Sequence, residues 1–262
     1  MRRARERHNG VSPPAGPCPG KRKLSEICPP SVKELNLVRA PGVEVDELPE
    51  ACTHLSITRK KIKVGVIGGL GHVTELRVDK CTLNSKNLID ILALCPKAES
   101  LHLPNNQPGM LGGLEEAMRQ GRAMPPLRSF DASFMDLTDD FSNYRWTGSV
   151  VEAFPHLEKL KLNVSRVPYD LLGLPRLTCL SIHLTKGLTV AKVAPMLQML
   201  PTLERLEVIV QRGDDVEAAE SLLRTVAGSV KVQSREKATH SVSLSMLNAG
   251  NLLNSLRQCP SW

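Results

Sequence analysis

Aromatic residues are scarce in this 262-residue chain: four Phe, two Tyr and two Trp. So few π-faces argue against single-stranded nucleic-acid binding, which leans on stacking platforms. They also leave the bulk of any core to Leu, Val and Ile. No run of about 18 apolar residues occurs, so no membrane span is expected. No apolar stretch follows Arg2, Arg3, Arg5 and Arg7, so no secretory signal is expected either. The seven cysteines (Cys18, Cys28, Cys52, Cys81, Cys95, Cys179 and Cys259) are odd in number and scattered, with no Cys-x-x-Cys pair. They read as reduced thiols of an intracellular protein, cytoplasmic or nuclear.

Catalytic templates are missing as well. There is no His-Glu-x-x-His, no Gly-x-Ser-x-Gly and no phosphate-loop lysine motif. Lys63 to Gly71 imitates the strand and glycine turn of a dinucleotide fold. Counted from Gly68, however, the third position is Leu70 and the sixth is Val73, where the fingerprint needs glycines. A tight turn is the simpler reading. Six of the histidines, His54, His72, His102, His156, His183 and His240, are isolated from one another. Asp139-Asp140 and Asp214-Asp215 suit helix starts better than paired catalytic carboxylates. No enzyme, cofactor or metal site is expected.

What the chain does have is a recurring Leu-x-x-Leu-x-Leu. The clearest copies are Leu157-Glu-Lys-Leu160-Lys-Leu162, Leu177-Thr-Cys-Leu180-Ser-Ile182 and Leu203-Glu-Arg-Leu206-Glu-Val208. Five looser copies centre on Leu35, Leu55, Leu76, Leu101 and Phe130. Successive centres lie 20, 21, 25, 29, 30, 20 and 26 residues apart. Such a period marks a repeat architecture. In each copy the two apolar residues around the middle x point to one side of a strand and x to the other. One copy cannot bury its leucines alone, so neighbours must stack. In six copies a proline stands two residues ahead, where no ladder N–H is lost. Asn87–Leu94, Gly113–Gln120 and a segment from Asp214-Asp215 to about Ala227 read as intervening helices, and Tyr169–Leu174 as a single turn.

Short helices ending in Leu-Cys-Pro or Leu-Pro ahead of this motif, as in Leu94-Cys95-Pro96 to Leu103 and Leu200-Pro201 to Val208, carry a resemblance. The chain resembles the leucine-rich repeats of the irregular, ribonuclease-inhibitor-like type, especially those that follow an F-box in ubiquitin-ligase substrate receptors. Of an F-box itself it holds only a fragment, Leu48-Pro49-Glu50-Ala51. The fold implied is an α/β leucine-rich repeat solenoid, a horseshoe. Its parallel strands would line the concave face, with helices or irregular arcs on the convex one. The role implied is substrate recognition in a ubiquitin-ligase setting.

Formal charge is +7 and unevenly spread. Residues 1–24 hold Arg2, Arg3, Arg5, Arg7, Lys21, Arg22 and Lys23 against Glu6 alone, among four prolines and three glycines. This segment has little to bury and reads as a disordered tail. Its basic run suits a nuclear import signal, a mitochondrial presequence (disfavoured by the prolines, which break an amphipathic helix), a non-specific polyanion contact, or a plain solvated tail. Residues 25–262 read as eight or nine repeats with a helical cap over Asn248–Gln258. Val230-Lys-Val232 and Val242-Ser-Leu244 both alternate, so one is a candidate ninth strand; the two could also pair as a hairpin.

The residues between the inward leucines form the candidate site. The central row would be Asn36, Ser56, Arg77, His102, Asp131, Lys161, Ser181 and Glu207. Its mixed signs suit either a plain solvated face or a protein-binding surface, and an inner repeat face favours the latter. Tyr144 and Trp146, in the long 133–150 interval, make a second candidate contact. The expected role is a non-enzymatic protein-interaction module or scaffold. The expected partner is another protein, with no membrane and with nucleic acid touched only by the tail. The competing classes are a nucleic-acid-associated protein steered by that tail, and an enzyme with its site in the inter-repeat loops.

Overall fold

The computed structural model describes residues 22–38, 43–44, 47–58, 70–81, 85–106, 111–133, 146–185, 187–210, 216–224, 226–227, 229–234 and 244–245. The first elements are β1 (Arg22–Lys23), α1 (Leu24–Ile27), β2 (Glu34–Val38), β3 (Val43–Glu44) and β4 (His54–Thr58). A 3₁₀ turn at Leu70–His72 precedes β5 (Glu75–Asp79), followed by α2 (Ser85–Leu94), β6 (Ser100–His102), α3 (Gly112–Arg119) and β7 (Ser129–Ala132). Then come α4 (Trp146–Ala153), β8 (Lys159–Val164), a 3₁₀ helix at Tyr169–Gly173, and β9 (Cys179–Leu184). The chain continues through α5 (Val190–Leu197), β10 (Arg205–Val210), α6 (Val216–Leu223), β11 (Ser229–Ser234) and β12 (Leu244–Ser245).

The architecture is α/β, built on one sheet. Strands β2 and β4 to β11 run parallel, each beside the next in chain order, and β12 joins β11 antiparallel. A ninth parallel strand and an antiparallel return are thus both present at the C-terminal edge. Strands β1 and β3 form a separate parallel pair. The eight motif centres are partners across the sheet: Leu35, Leu55, Leu76, Leu101, Phe130, Leu160, Leu180 and Leu206, with Val230 extending the row. Flanking them inside are two further rows. Cys52, Val73, Ala98, Leu127, Leu157, Leu177 and Leu203 come before, and Ile57, Val78, Ala132, Leu162, Ile182 and Val208 after, all buried. Phe130 meets Phe154 at 5.9 Å between ring centroids, so the single large motif centre packs on an aromatic from the next copy.

The proline before the motif has a definite place. The first motif N–H bonds back three residues in Val32→Pro29, Ala98→Cys95, Leu157→Phe154 and Leu177→Leu174. Pro30, Pro96, Pro155 and Pro175 therefore occupy the second position of a tight turn, where their fixed φ is already correct. Val73 bonds to Leu70 in the same way without a proline.

Interval length decides what crosses between strands. Where motif centres lie 25, 29, 30 and 26 residues apart, the connection holds α2, α3, α4 and α5. Where they lie 20 or 21 apart, the described residues of the connection hold no α-helix, and two of the three connections carry a 3₁₀ segment. A helix rises about 1.5 Å per residue against about 3.3 Å for extended chain, so a helical return consumes more residues. The helices pack in a row, α2 on α3, α3 on α4 and α5 on α6. Cross-links hold the row in place. Ser149 donates to Glu115 at 2.8 Å between α4 and α3, and Thr147 donates to Asp170 at 2.7 Å. A Cβ on Gly173 would stand 2.9 Å from Val151 Cγ1, so this close approach of α4 to the following 3₁₀ helix requires glycine. Asn106 is buried and satisfied: its amide donates to the Val78 and Pro104 carbonyls, and its oxygen accepts from the Cys81 N–H.

Several expectations change. Arg22 and Lys23 pair with Val43 and Glu44, and Leu24 is buried, so these three belong to the fold rather than to the tail. Residues 1–21 and the 248–258 segment lie outside the described residues, as do Asp139, Asp140, Asp214 and Asp215. Helix α6 ends at Leu223, short of Ala227. Helix α5 forms despite Pro195 inside it, because Val190, Val193, Ala194, Met196 and Leu197 bury one face. Helix α4 occupies the second part of the 133–150 interval that read as loop.

Two stability outcomes follow from this register. Leu160→Ala, at a site with no solvent exposure, should cost about 2–5 kcal/mol, whereas Lys161→Ala, one residue on and facing outward, should cost no more than about 0.5 kcal/mol. Equal shifts in denaturation midpoint would contradict the register. Removing residues 1–21 should leave the unfolding transition in place, and extending the deletion through Leu24 should lower the midpoint measurably. Identical midpoints for the two deletions would mean that Leu24 contributes nothing.

Candidate functional site

Parallel register turns the x positions into rows on the sheet face opposite the inward leucines. The central row is Asn36, Ser56, Arg77, His102, Asp131, Lys161, Ser181, Glu207 and Lys231. The flanking row is Glu34, His54, Glu75, Ser100, Ser129, Lys159, Cys179, Arg205 and Ser229. Neighbours along a row stand about 4.8 Å apart, the spacing of strands in a sheet. The central row matches the one read from the sequence, residue for residue, over its eight copies.

Exposure along these rows is uneven. Asn36 and Arg77 are exposed, and His102, Lys161 and Glu207 are half-buried. Asp131 is buried, so it is not the open rung that its position suggested. Ser129, Cys179, Ser181, Asn163 and His183 are buried too. The cause is an alternation of short and long side chains between strands. Glu207 accepts a 2.7 Å hydrogen bond from Ser181 and stands 3.7 Å from Lys231. Arg205 turns Nε and Nη2 onto Cys179 Sγ at 3.0 and 2.8 Å. Long side chains on β10 thus lie over short ones on β9.

Toward β4, ionisable groups of both signs interleave. Glu75 lies 3.6 Å from His54 on one side and 4.0 Å from His102 on the other, and His102 stands 3.8 Å from Asp131. Arg77 pairs with Asp79 at 3.7 Å, and Asp79 also accepts from Asn105 at 2.9 Å. Burial pushes the Asp131 carboxyl upward, but His102, the Ser133 hydroxyl and N–H, and Lys161 together hold it below the usual carboxylate range.

The other candidates fall elsewhere. Tyr144 lies outside the described residues, and Trp146 opens α4 rather than a loop. Among the described cysteines, Cys52, Cys81, Cys95 and Cys179 are buried and Cys28 is half-buried, so none stands on an exposed loop. Burial pushes the Cys95 thiol up to about 12, which keeps it protonated and unreactive. No group of three or more His, Cys, Asp and Glu among the described residues is arranged to hold a metal ion. No described helix is long and apolar enough to cross a membrane.

The Cys179–Arg205 contact, the Ser181–Glu207 bond and the burial of Asp131 escaped sequence reasoning. Each depends on how a long side chain folds over the adjacent strand, and motif spacing carries no rotamer information. The chain matches no model of a known protein family and no curated protein sequence.

Asp131 yields a pH test. Its folded pKa lies below the unfolded value, so the stability its carboxylate contributes is present above the ordinary range and lost as pH falls through the lowered folded value. Asp131→Asn should therefore flatten the acid limb of a stability-against-pH curve measured by denaturant unfolding. An unchanged acid limb would show that the ionised form gains nothing from folding.

Proposed function

We propose that this chain is a leucine-rich repeat solenoid acting as a protein-recognition module, with the polar sheet face as its concave contact surface. The observation carrying this reading is the unbroken register of two polar rows across nine parallel strands. Such a face offers many weak polar contacts fixed in relative position by one backbone, which suits a macromolecular partner better than a small substrate. The partner is another protein, met inside the cell, where reduced thiols such as Cys52, Cys81 and Cys95 persist. The narrower reading is substrate recognition in a ubiquitin-ligase setting; it rests on the resemblance of the Leu-Cys-Pro and Leu-Pro motif copies.

Photo-crosslinking amino acids at Asn36 and Arg77, compared with Lys192 on α5 and Glu217 on α6, test the surface directly. The two sheet positions should capture the same protein in cells, and the two helix positions should not. Adducts formed only from the helix positions would overturn the reading. If the ligase setting holds, the captured protein should lose ubiquitin and gain half-life when this chain is depleted. An unchanged half-life would leave only the scaffold role.

A further inference from the structure

The polar face is segregated by charge along the strand order. On β2 and β4 to β7 its outward ionisable residues are Glu34, Glu75, Asp79 and Asp131 against Arg77, with His54 and His102 between them. On β8 to β11 they are Lys159, Lys161, Arg205 and Lys231 against Glu207, with the buried His183 on β9. Formal charge on the face therefore reverses between β7 and β8. Outside the outward rows, at the strand starts, Glu158 is engaged by Arg128 at 2.8 Å, and Glu204 is exposed.

We infer that the β8–β11 half of the face seats an acidic polypeptide segment of the partner. This rests on the protein-recognition reading above and names the chemistry that the surface selects. The four cations lie on three of these strands, two on β8 and one each on β10 and β11, a span of roughly 14 Å. An extended chain of about four or five residues crosses that distance, so one short acidic segment can reach the cations at both ends of it. The one carboxylate in the patch, Glu207, already receives Ser181 and pairs with Lys231, so its repulsion is limited and Lys159, Lys161 and Arg205 supply most of the attraction.

Nucleic acid fits the same cations less well. Duplex DNA carries a charge about every 1.7 Å, and any strand longer than the patch runs onto the acidic β2–β7 half. The two outward rows also hold no aromatic side chain on which a base could stack. A partner whose acidic segment is short and continues into neutral or basic residues satisfies both halves at once.

The test uses the full chain and a fluorescein-labelled peptide of alternating Glu and Ser, read by fluorescence anisotropy at low salt. Its Lys/Ser counterpart and an oligothymidylate of equal charge serve as comparison probes. Lys161→Glu with Lys231→Glu should weaken Glu-peptide binding by about tenfold or more, because like charges then face the ligand. Lys161→Gln with Lys231→Gln should weaken it by about threefold to fivefold, removing attraction without adding repulsion. Arg77→Glu, on the other half, and replacement of Arg2, Arg3, Arg5 and Arg7 by Gln should each leave it within about twofold, since the inferred site is confined to the β8–β11 cations. Thermal melts establish that each variant is folded; if the Glu pair is not, the Gln pair decides.

Wild-type affinity in the Gln pair, or loss of binding in the tail variant, overturns the assignment. So does oligothymidylate binding as tightly as the Glu peptide and weakening in parallel with it across the Lys variants. Failure here is separable from failure of the wider reading. Partner adducts at Asn36 and Arg77 would persist for a partner of different chemistry, and only their absence removes the recognition surface itself.

Discussion

Each motif copy exposes a row of leucines that only the next copy can cover, and parallel in-register pairing is what allows that cover. The whole sheet depends on this constraint. A slip of one residue at any strand would turn Leu160 or Leu180 outward and bring Lys161 or Ser181 into the core. The penalty at a single strand is several side chains' worth of burial, which is why register persists from β2 to β11 despite intervals that vary from 20 to 30 residues. Variation is absorbed in the connections, where longer intervals coil into helices and the described residues of the shorter ones hold no α-helix.

The same register creates the polar face without any further requirement on sequence. Once leucines alternate inward, the intervening residues are held in rows at strand spacing, whatever they are. Their behaviour then depends on neighbours. Ser181 and Cys179 are short and lie beneath Glu207 and Arg205, while Arg77 and Asn36 reach solvent. Asp131 is buried yet keeps its charge favoured because His102, Ser133 and Lys161 surround it. A chemically mixed face of this kind has fixed geometry and adjustable chemistry.

The repeat centres, the inward rows and the two outward rows were legible in the sequence, since period two and the recurring Leu-x-x-Leu-x-Leu are local patterns. So were α2 and α3, where an apolar or dipole-ordered stretch filled a long interval. Helix α4, with Gly148 inside it, was hidden in an interval that looked like loop, and Pro195 disguised α5. Leu24 was hidden by its basic neighbours; only packing against the first copies shows it to be core.

The sequence by itself thus determined which side chains face inward, how many strands could stack and where formal charge falls along the strand order. It did so because side-chain direction in a strand follows from position alone. Tertiary structure decided which outward residues remain open. It buried Asp131, laid Arg205 on Cys179, set Glu75 between two histidines, and paired β12 antiparallel with the first two residues of β11. Those outcomes depend on rotamers and on contacts between strands 20 or more residues apart, which no local pattern encodes.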